Sequence, residues 1–142
     1  MSADVRMLRA GEEDVLLHAA PGVFDYPVQP HLAREFLSDP RHHIAVALDG
    51  GAAVGFASAV QYIHPDKPAE LWINEVGVAP SHRRQGLAKT ILEVLLDHGR
   101  TLGCSAAWVL TDTDNTAARA LYGSAGGEEL SRNTVHVEFK LR

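Results

Sequence analysis

An amphipathic helix is predicted over residues 87–102, between two short apolar segments at 71–78 and 106–111. The leucine, isoleucine and alanine side chains of this helix recur at spacings of three and four, which places them on one face. A strand, a crossover helix and a second strand in this order lie in one sheet as a parallel pair with a right-handed connection. The pattern therefore predicts an α/β or α+β fold around a mixed central sheet.

The first half of the chain predicts antiparallel strands and two short helices. Strands are predicted at residues 5–8, 43–48 and 52–62, and helices at 12–20 and 32–37. The turn Asp49-Gly50-Gly51 joins the second and third strands into a hairpin. Residues 24–30 are expected to form an extended loop, because a residue that precedes proline is driven out of the helical conformation. A second loop, at 64–68, is expected to lead into the apolar strand 71–78.

The last third of the chain predicts a buried strand, a short helix and a closing strand. Trp108 on the strand at 106–111 is expected in the core, together with Trp72 on the neighbouring strand. A helix is predicted at 116–122, and four apolar side chains beyond it alternate with polar ones, which is typical of a strand that buries one face. These four are Val135, Val137, Phe139 and Leu141. The chain, 1–142, is predicted to be a single domain with about six to seven strands and about four helices.

Charge and cysteine content exclude several classes of protein. The net charge of -5 and the pI of about 5.9 argue against a nucleic-acid-binding protein, because such proteins carry a basic excess. Cys104 is the single cysteine, so it forms neither an internal disulfide nor a thiolate zinc site, and it is expected to be a buried structural thiol. The histidines lack H-x-x-x-H spacing, so no metal is expected. No apolar segment approaches the ~18 residues of a membrane span, and charges interrupt residues 1–10, which predicts a cytoplasmic protein without a membrane partner.

The segment from Val76 to Ala88 indicates an anion-binding site. An apolar strand ends, a turn with Arg83, Arg84 and Gly86 follows, and the long helix begins at once. The first N–H groups of a helix have no internal partner and lie at its positive end. Glycine lets an anion approach this backbone closely, and arginine adds charge and paired donors, which suits a diphosphate. A solvated basic turn before an ordinary helix is the alternative interpretation.

The start of this helix resembles the acetyl-CoA signature R/Q-x-x-G-x-G/A of the GNAT N-acyltransferase superfamily, since it reads Arg83-Arg84-Gln85-Gly86-Leu87-Ala88. Ala88 replaces the commoner glycine and is an accepted variant. A later segment with Asn115, Ala118 and Leu121-Tyr122 resembles the family's second cofactor segment, and the order of elements matches over essentially the whole chain. The resemblance implies a GNAT fold whose sheet splays between strands 71–78 and 106–111. It also implies an enzyme that uses acetyl-CoA and no metal.

The resemblance further implies roles for individual residues. The strand would pair with the pantetheine arm of acetyl-CoA through the backbone of Val76 and Val78, on either side of Gly77. Asn115 would bond the pantetheine, and Tyr122 would protonate the departing thiolate as general acid. Further contacts to the co-substrate are implied for Arg83, Arg84, Gln85, Gly86, Leu87, Ala88, Lys89 and Ala118.

Glu75 is the predicted general base. It lies in the middle of an otherwise apolar strand, where an ionised carboxylate is costly unless it is paired or used. Burial would raise its pKa towards a value suited to accepting a proton from an amine. A carboxylate neutralised by a nearby histidine or arginine is the alternative.

The motifs identify the acyl donor but not the acceptor amine. The segments 24–30, 64–68 and 71–80 resemble the small aminoglycoside 3-N-acetyltransferases, which implies a cationic amino sugar whose ammonium groups bind carboxylates. The expected substrate contacts are Asp25, Tyr26, Glu70, Asp112 and Asp114. The last two carboxylates are also candidates for capping the helix at 116–122. The alternatives are a polyamine acetyltransferase, a protein N-terminal acetyltransferase and a non-enzymatic acyl-CoA-binding module, and a homodimer is compatible with the family.

Overall fold

The computed structural model describes residues 3–142 and places five strands among them in one sheet, which follow one another in sequence order. The strands are β1 (Asp4–Met7), β2 (His42–Asp49), β3 (Ala52–His64), β4 (Lys67–Val78) and β5 (Ala107–Val109). The helices are α1 (Glu13–Leu17), α2 (Pro30–Ser38), α3 (Leu87–Thr101) and α4 (Thr116–Ser124), with a 3-10 turn at Pro80–His82. Pairing is antiparallel from β1 to β4 and parallel between β4 and β5, as the crossover helix predicts. The α/β class predicted from the sequence is confirmed.

Helix α3 covers one face of the sheet. Ile91 and Leu95 are among its buried side chains, and two glycines allow the close approach of helix and sheet. A Cβ atom at Gly55 of β3 would lie 2.8 Å from Ile91 Cδ1, and one at Gly99 of α3 would lie 3.0 Å from Leu71 Cδ2. Full burial of an aliphatic side chain of this kind stabilises a fold by about 1.5–3 kcal/mol. These contacts therefore fix which side of β3 and β4 faces α3.

The β3–β4 hairpin is tighter than predicted. His64 pairs with Lys67, so Pro65 and Asp66 alone form the turn, and the predicted loop at 64–68 is wrong. The Asp66 carboxylate accepts a hydrogen bond from Lys67 Nζ at 2.8 Å and also contacts His64 Nδ1. Strands β3 and β4 both extend beyond the apolar residues from which the sequence predicts them, because polar side chains next to the turn also support the pairing of the two strands.

β5 is a short edge strand and not the buried strand predicted at 106–111. Only Ala107–Val109 pair with β4, and Trp108 is 37% exposed. Trp108 stacks on Trp72 of β4, on the sheet face opposite α3, because the adjacent Leu71 points towards α3. The expectation that both tryptophans lie in the core is therefore wrong. An edge strand has a neighbour on one side only, so its side chains are less covered than apolar composition suggests.

The chain divides into two compact units, Met1–Leu110 and Thr111–Arg142. The second unit contains α4, where the Arg119 guanidinium donates to the Glu129 carboxylate at 2.8 and 2.9 Å. Residues 127–142 form neither helix nor strand, so the predicted closing strand is wrong and residues 3–142 contain five strands instead of six to seven. Alternation predicts which side chains would share a face, but a strand also requires a neighbouring backbone. The single-domain organisation of the chain stays a prediction.

Residues 3–142 contain neither a membrane-spanning helix nor a cluster of metal ligands. Within residues 3–142, none of the helices combines the length and the hydropathy of a membrane-spanning segment. The same residues hold no group of three histidine, cysteine, aspartate or glutamate side chains placed to bind a metal ion. Burial raises the pKa of the Cys104 thiol, and a raised pKa keeps a thiol protonated and weakly nucleophilic.

Candidate functional site

A β-bulge interrupts β4 immediately before Glu75. Ser58 of β3 pairs with Glu75, but the next residue, Ala59, pairs with Ile73, so Asn74 is an extra residue in β4. The extra residue shifts the alternation of β4 by one position, and the parallel pairing with β5 also ends at Ile73. Bulges of this kind re-aim side chains and end strand pairing, often beside active sites.

Beyond the bulge, β4 has a free edge on the side of β5. The Ala79 N–H donates to the Val54 carbonyl of β3 at 2.8 Å. Because backbone groups alternate in direction along a strand, the N–H and C=O groups of Val76 and Val78 point away from β3. The Val78 carbonyl accepts a hydrogen bond from Arg83 Nε at 3.3 Å. No strand among residues 3–142 pairs with this edge, which therefore has the geometry to pair with an extended ligand.

The loop between α1 and α2 covers the same end of β4. Phe24 stacks on Phe56 of β3 with ring centroids 4.4 Å apart. The Val23 carbonyl lies 2.8 Å from the position that a Cβ atom at Gly77 would occupy, so only glycine fits there without displacing the loop. These contacts hold Asp25, the residue after Phe24, near the bulge.

Glu75 lies on the sheet face that this loop covers, since it shares that face with Gly77 two residues later. Its side chain is exposed, so the expectation of a carboxylate inside the apolar core is wrong. Partial burial of the carboxyl group, and then the neighbouring Asp25 carboxylate, nevertheless raise the pKa of Glu75. No cation among residues 3–142 contributes to this shift, which disfavours a carboxylate neutralised by histidine or arginine.

The turn before α3 contains two residues in the left-handed conformation, Arg84 with a φ of 63° and Gly86 with a φ of 72°. The left-handed region costs a non-glycine residue about 1–2 kcal/mol, and such strain is concentrated at ligand sites. Gly86 is the N-cap of α3, and no side chain of residues 3–142 caps the helix, so its first N–H groups are available to a ligand. A Cβ atom at Gly86 would meet nothing within 4 Å. This open helix N-terminus, with exposed Arg83, Gln85 and Lys89 around it, fits a diphosphate.

His82 ties this turn to the β2–β3 hairpin, a contact that sequence reasoning missed. Its Nε2 lies 2.7 Å from Asp49 Oδ2, and its Nδ1 lies 2.7 Å from Ser81 Oγ. Asp49 and His82 are 33 positions apart in the sequence. The sequence around Asp49 signals only a tight turn, so nothing in it indicated a distant partner.

The second predicted cofactor segment forms the start of α4. Asn115 is the N-cap, and its Oδ1 accepts a hydrogen bond from the Ala118 N–H at 3.0 Å. Tyr122 is partly buried on the same helix, and burial raises the pKa of its hydroxyl. The exposed carboxylates of Asp112 and Asp114 do not form the cap, so their alternative role as helix caps is wrong.

The predicted substrate residues of the first unit separate into two places. Asp25 and Glu75 are brought together, with Tyr26, which is 83% exposed, next to Asp25. Glu70 pairs with Tyr62 nearer the hairpin turn. Glu70 and Glu75 pair with residues that are four positions apart on β3, so they lie about 13 Å apart at ~3.3 Å per residue. The structure therefore does not place Glu70 beside the other two carboxylates.

A strand with a bulge and a free edge, followed by an anion-accepting helix N-terminus, is the arrangement expected of an acyl-CoA-dependent acyltransferase. Residues 13–126 match the model of the acetyltransferase (GNAT) family, and the chain belongs to this family. It is an acetyl-CoA-dependent N-acetyltransferase. The family and the enzyme class predicted from the sequence are confirmed.

The relatives of this chain are named for different acetyl acceptors. The chain is 33% identical over 110 residues to the N-alpha-acetyltransferase RimI of Mycobacterium tuberculosis, and the aligned region covers 78% of this chain and 67% of that protein. It is 28% identical over 113 residues to an aminoglycoside N(6')-acetyltransferase type 1 of Salmonella typhimurium, which covers 75% of this chain and 78% of that protein. The crystal structure of an aminoglycoside acetyltransferase from an uncultured soil metagenomic sample matches with a TM-score of 0.81 at 26% identity, over 100% of both chains. None of these three is named as a 3-N-acetyltransferase.

Proposed function

We propose that the chain transfers the acetyl group of acetyl-CoA to a primary amine of an aminoglycoside, with Glu75 as the general base. The observation that carries the proposal is the Glu75 carboxylate beside the free edge of β4, with the Asp25 carboxylate of the covering loop close enough to raise its pKa further. Such a pair attracts a polycationic amine and supplies a proton acceptor at the place where the donor arm would lie.

The donor side of the proposed site is built from backbone. The β4 edge at Val76, Gly77 and Val78 would pair with the pantetheine arm as an added strand, in the manner by which extended ligands bind open sheet edges. The N–H groups at the start of α3 would hold the diphosphate. The co-substrate contacts proposed in this turn are Arg83, Arg84, Gln85, Gly86, Leu87, Ala88 and Lys89.

The second unit would contribute Asn115, Ala118 and Tyr122. The Asn115 oxygen and the Ala118 N–H bond each other in the α4 cap, so the amide NH2 of Asn115 is the group that would donate to the pantetheine. Tyr122 would act as the general acid. Because burial raises the pKa of its hydroxyl, the phenol is protonated at neutral pH and can give its proton to the departing thiolate.

The proposed chemistry is a direct transfer in which two protons move. The acceptor amine gives a proton to the Glu75 carboxylate, and the amine nitrogen attacks the thioester carbonyl carbon. The bond to sulfur breaks, and the sulfur takes the proton of the Tyr122 hydroxyl. A backbone N–H at the end of β4 would stabilise the negative charge that develops on the carbonyl oxygen.

The acceptor side would use carboxylates to bind ammonium groups. The Asp25 carboxylate is close enough to raise the pKa of Glu75, and Tyr26 follows it in the same loop, so both are proposed substrate contacts. Asp112 and Asp114 are exposed and not used by the α4 cap, which leaves them available to a cation. Glu70 is proposed to bind a more distant part of the acceptor.

Asp112→Asn should raise the KM for the amine more than it changes kcat. The reason is that the lost charge partner would bind the ground state and the transition state equally.

Protein N-terminal acetylation is the second candidate, favoured by the 33% identity to the N-alpha-acetyltransferase RimI. An N-terminal α-amine requires the same base and the same donor residues. The two candidates differ in charge, since an aminoglycoside presents several ammonium groups to the acidic surface and a peptide N-terminus presents one. Recognition of several ammonium groups is therefore the property that separates them.

The deciding experiment measures CoA thiol release with a panel of amines: kanamycin, gentamicin, spermidine and a short peptide with a free N-terminus. We expect an aminoglycoside to have the highest kcat/KM, with the acetylated nitrogen identified by NMR of the product. The sequence resemblance favours the 3-N position, whereas one relative is named for N(6'). A higher kcat/KM for the peptide or spermidine would overturn the aminoglycoside assignment, and acetylation at another nitrogen would overturn the 3-N position alone.

A further inference from the structure

The two tryptophans of the chain form one stack, in which Trp72 is half-buried and Trp108 is exposed. Trp72 and Trp108 are directly paired in the parallel register of β4 and β5, with ring centroids 5.5 Å apart and an interplanar angle of 13°. Trp108 is 37% exposed although it is one of the largest apolar side chains. Stacking uses one face of each ring, so aromatic surface is left for a ligand.

The stack and Glu75 lie on the same face of the sheet. Trp72 faces away from α3, because its neighbour Leu71 contacts the helix at Gly99. Residues three apart in a regular strand would face opposite sides. The extra residue Asn74 shifts the alternation, so that Glu75 shares the face of Trp72.

The charge beside the stack determines what would bind there. Asp25 and Glu75 make this end of the face acidic, and both tryptophans supply aromatic rings that attract cations to their faces within ~6 Å of the ring centre. Carboxylates on the same face as a partly exposed tryptophan stack form a surface that suits ammonium groups and the apolar faces of sugar rings.

We propose that the Trp72–Trp108 stack is an acceptor subsite that binds a non-reacting ammonium-bearing ring of the acceptor while the reacting amine lies at Glu75. The inference rests on the proposed function, because it names a specificity determinant of that same site. Trp72 and Glu75 pair with Val60 and Ser58, which are two residues apart on β3, so they lie about 7 Å apart along the sheet at ~3.3 Å per residue. An acceptor must therefore carry two amino groups on different parts of its structure to reach both, and a single amino sugar reaches only one.

Tryptophan fluorescence reports on this subsite alone, because the chain has only these two tryptophans. The chain is saturated with CoA and titrated with kanamycin, which has no aromatic ring and does not itself emit. We expect a saturable change of emission at concentrations that match the KM for kanamycin. Glucosamine, with one amino group, should produce no saturable change in the same range. An emission that does not respond to kanamycin would overturn the proposal.

Trp108→Leu tests the subsite by kinetics. Cation–π contacts correspond to roughly 2- to 30-fold in affinity, so the KM for kanamycin should rise by about tenfold. The KM for acetyl-CoA and the kcat should change less than about twofold, and Trp108→Phe should restore part of the affinity for kanamycin. Phe139→Leu is the control, because it removes an aromatic ring that is 80% exposed and has no part in the proposed site, and it should leave all three constants unchanged.

The outcomes separate this inference from the proposed function. Kanamycin acetylation with wild-type kinetics in Trp108→Leu would overturn the subsite and leave the proposed function intact. A saturable response of the emission to kanamycin without any acetylation would support the subsite and overturn the aminoglycoside reaction. Absence of both acetylation and emission change would overturn both.

Discussion

Burial and one charged neighbour set the proton affinity of Glu75, the group on which the proposed chemistry depends. Partial burial is the larger cause of its raised pKa, and the negative charge of Asp25 is the smaller. A carboxylate with a raised pKa accepts a proton from an amine more readily than an ordinary surface carboxylate does. The bulge at Asn74 produces this setting, because it turns Glu75 towards the face where the Asp25 loop lies.

Glu75→Gln tests the general base. The amide keeps the shape of the side chain and accepts no proton, so the rate should fall by about 10²–10⁴ at neutral pH. Part of the rate should return at high pH, where more of the amine is already deprotonated. Calorimetry should give an unchanged affinity for acetyl-CoA. Glu93→Gln, on an exposed position of α3, is the control, and a full rate in Glu75→Gln would assign the base to another group, with Asp112 next in line.

Asp25→Asn tests the coupling between the two carboxylates. Removal of the Asp25 charge removes one cause of the raised pKa of Glu75, so the acidic limb of the pH–rate profile should move to lower pH. The limb should move only part of the way, because burial remains. The KM for a cationic amine should rise as well. An acidic limb at the wild-type position would show that the two groups do not interact during turnover.

Tyr122→Phe tests the general acid. The change removes one hydroxyl and little volume, so the protein should fold with an unchanged melting temperature while turnover falls by about 10²-fold or more. The affinity for acetyl-CoA should change little, as measured by calorimetry. Wild-type turnover in this variant would mean that another donor protonates the thiolate.

At the scale of the elements, the turn before α3 combines a strained backbone with an uncapped helix start. Arg84 and Gly86 both have positive φ, and a Cβ atom at Gly86 would meet nothing within 4 Å. The His82–Asp49 contact anchors the turn to the β2–β3 hairpin. The turn is thus held in place by its neighbours, and no side chain of residues 3–142 caps the helix.

Two substitutions of equal size at Gly86 separate backbone strain from charge. Gly86→Gln and Gly86→Glu both place a side chain at a φ of 72°, so both should lose about 1–2 kcal/mol of stability. Only glutamate puts a negative charge at the proposed diphosphate position. Calorimetry should show acetyl-CoA affinity reduced by more than about 100-fold in Gly86→Glu and by clearly less in Gly86→Gln. Equal affinities in the two variants would contradict an anion site at this turn.

The helices and strands that the sequence predicted well are those whose signal is local. The apolar stripe of α3, the Gly50-Gly51 turn and the proline-bounded α2 all appear close to the predicted bounds. The prediction of a closing strand was wrong because alternation of apolar and polar residues does not supply a partner strand. The prediction for β5 was too long and too buried, because β5 is an edge strand. In both cases the missing information concerns a neighbouring element.

Those parts of the candidate site that lie within one contiguous segment were predictable from the sequence. The turn before α3 and the position of Glu75 in β4 followed from contiguous residues. The bulge at Asn74, the approach of Asp25 and the Trp72–Trp108 stack depend on how strands register with one another, and registers are set by pairing that a single segment does not reveal.

At the scale of the whole molecule, the stability of the folded chain should depend on pH through one histidine pair. His43 of β2 and His98 of α3 contact each other, with His43 Nδ1 3.0 Å from His98 Nε2. The buried Nε2 of His43 has no hydrogen-bond partner among residues 3–142. Burial, then the His98 and His42 rings, lower the pKa of His43 to about 4, while Asp39 opposes the shift. The fold therefore favours the neutral form of His43, and the unfolded chain binds the proton more tightly.

The sign of the pH effect follows from that difference. Stability is fully present above pH ~6.5, the ordinary histidine pKa, and is lost progressively as the pH falls from there towards 4. The loss is at most about 1.4 kcal/mol per pH unit, and smaller because the ring is only partly buried. Urea unfolding followed by tryptophan emission and by circular dichroism, between pH 7 and pH 5, should show a smaller loss in His43→Leu than in the wild type. His31→Gln, on an exposed position of α2, should lose stability in parallel with the wild type, and a parallel loss in His43→Leu as well would exclude His43 as the titrating group.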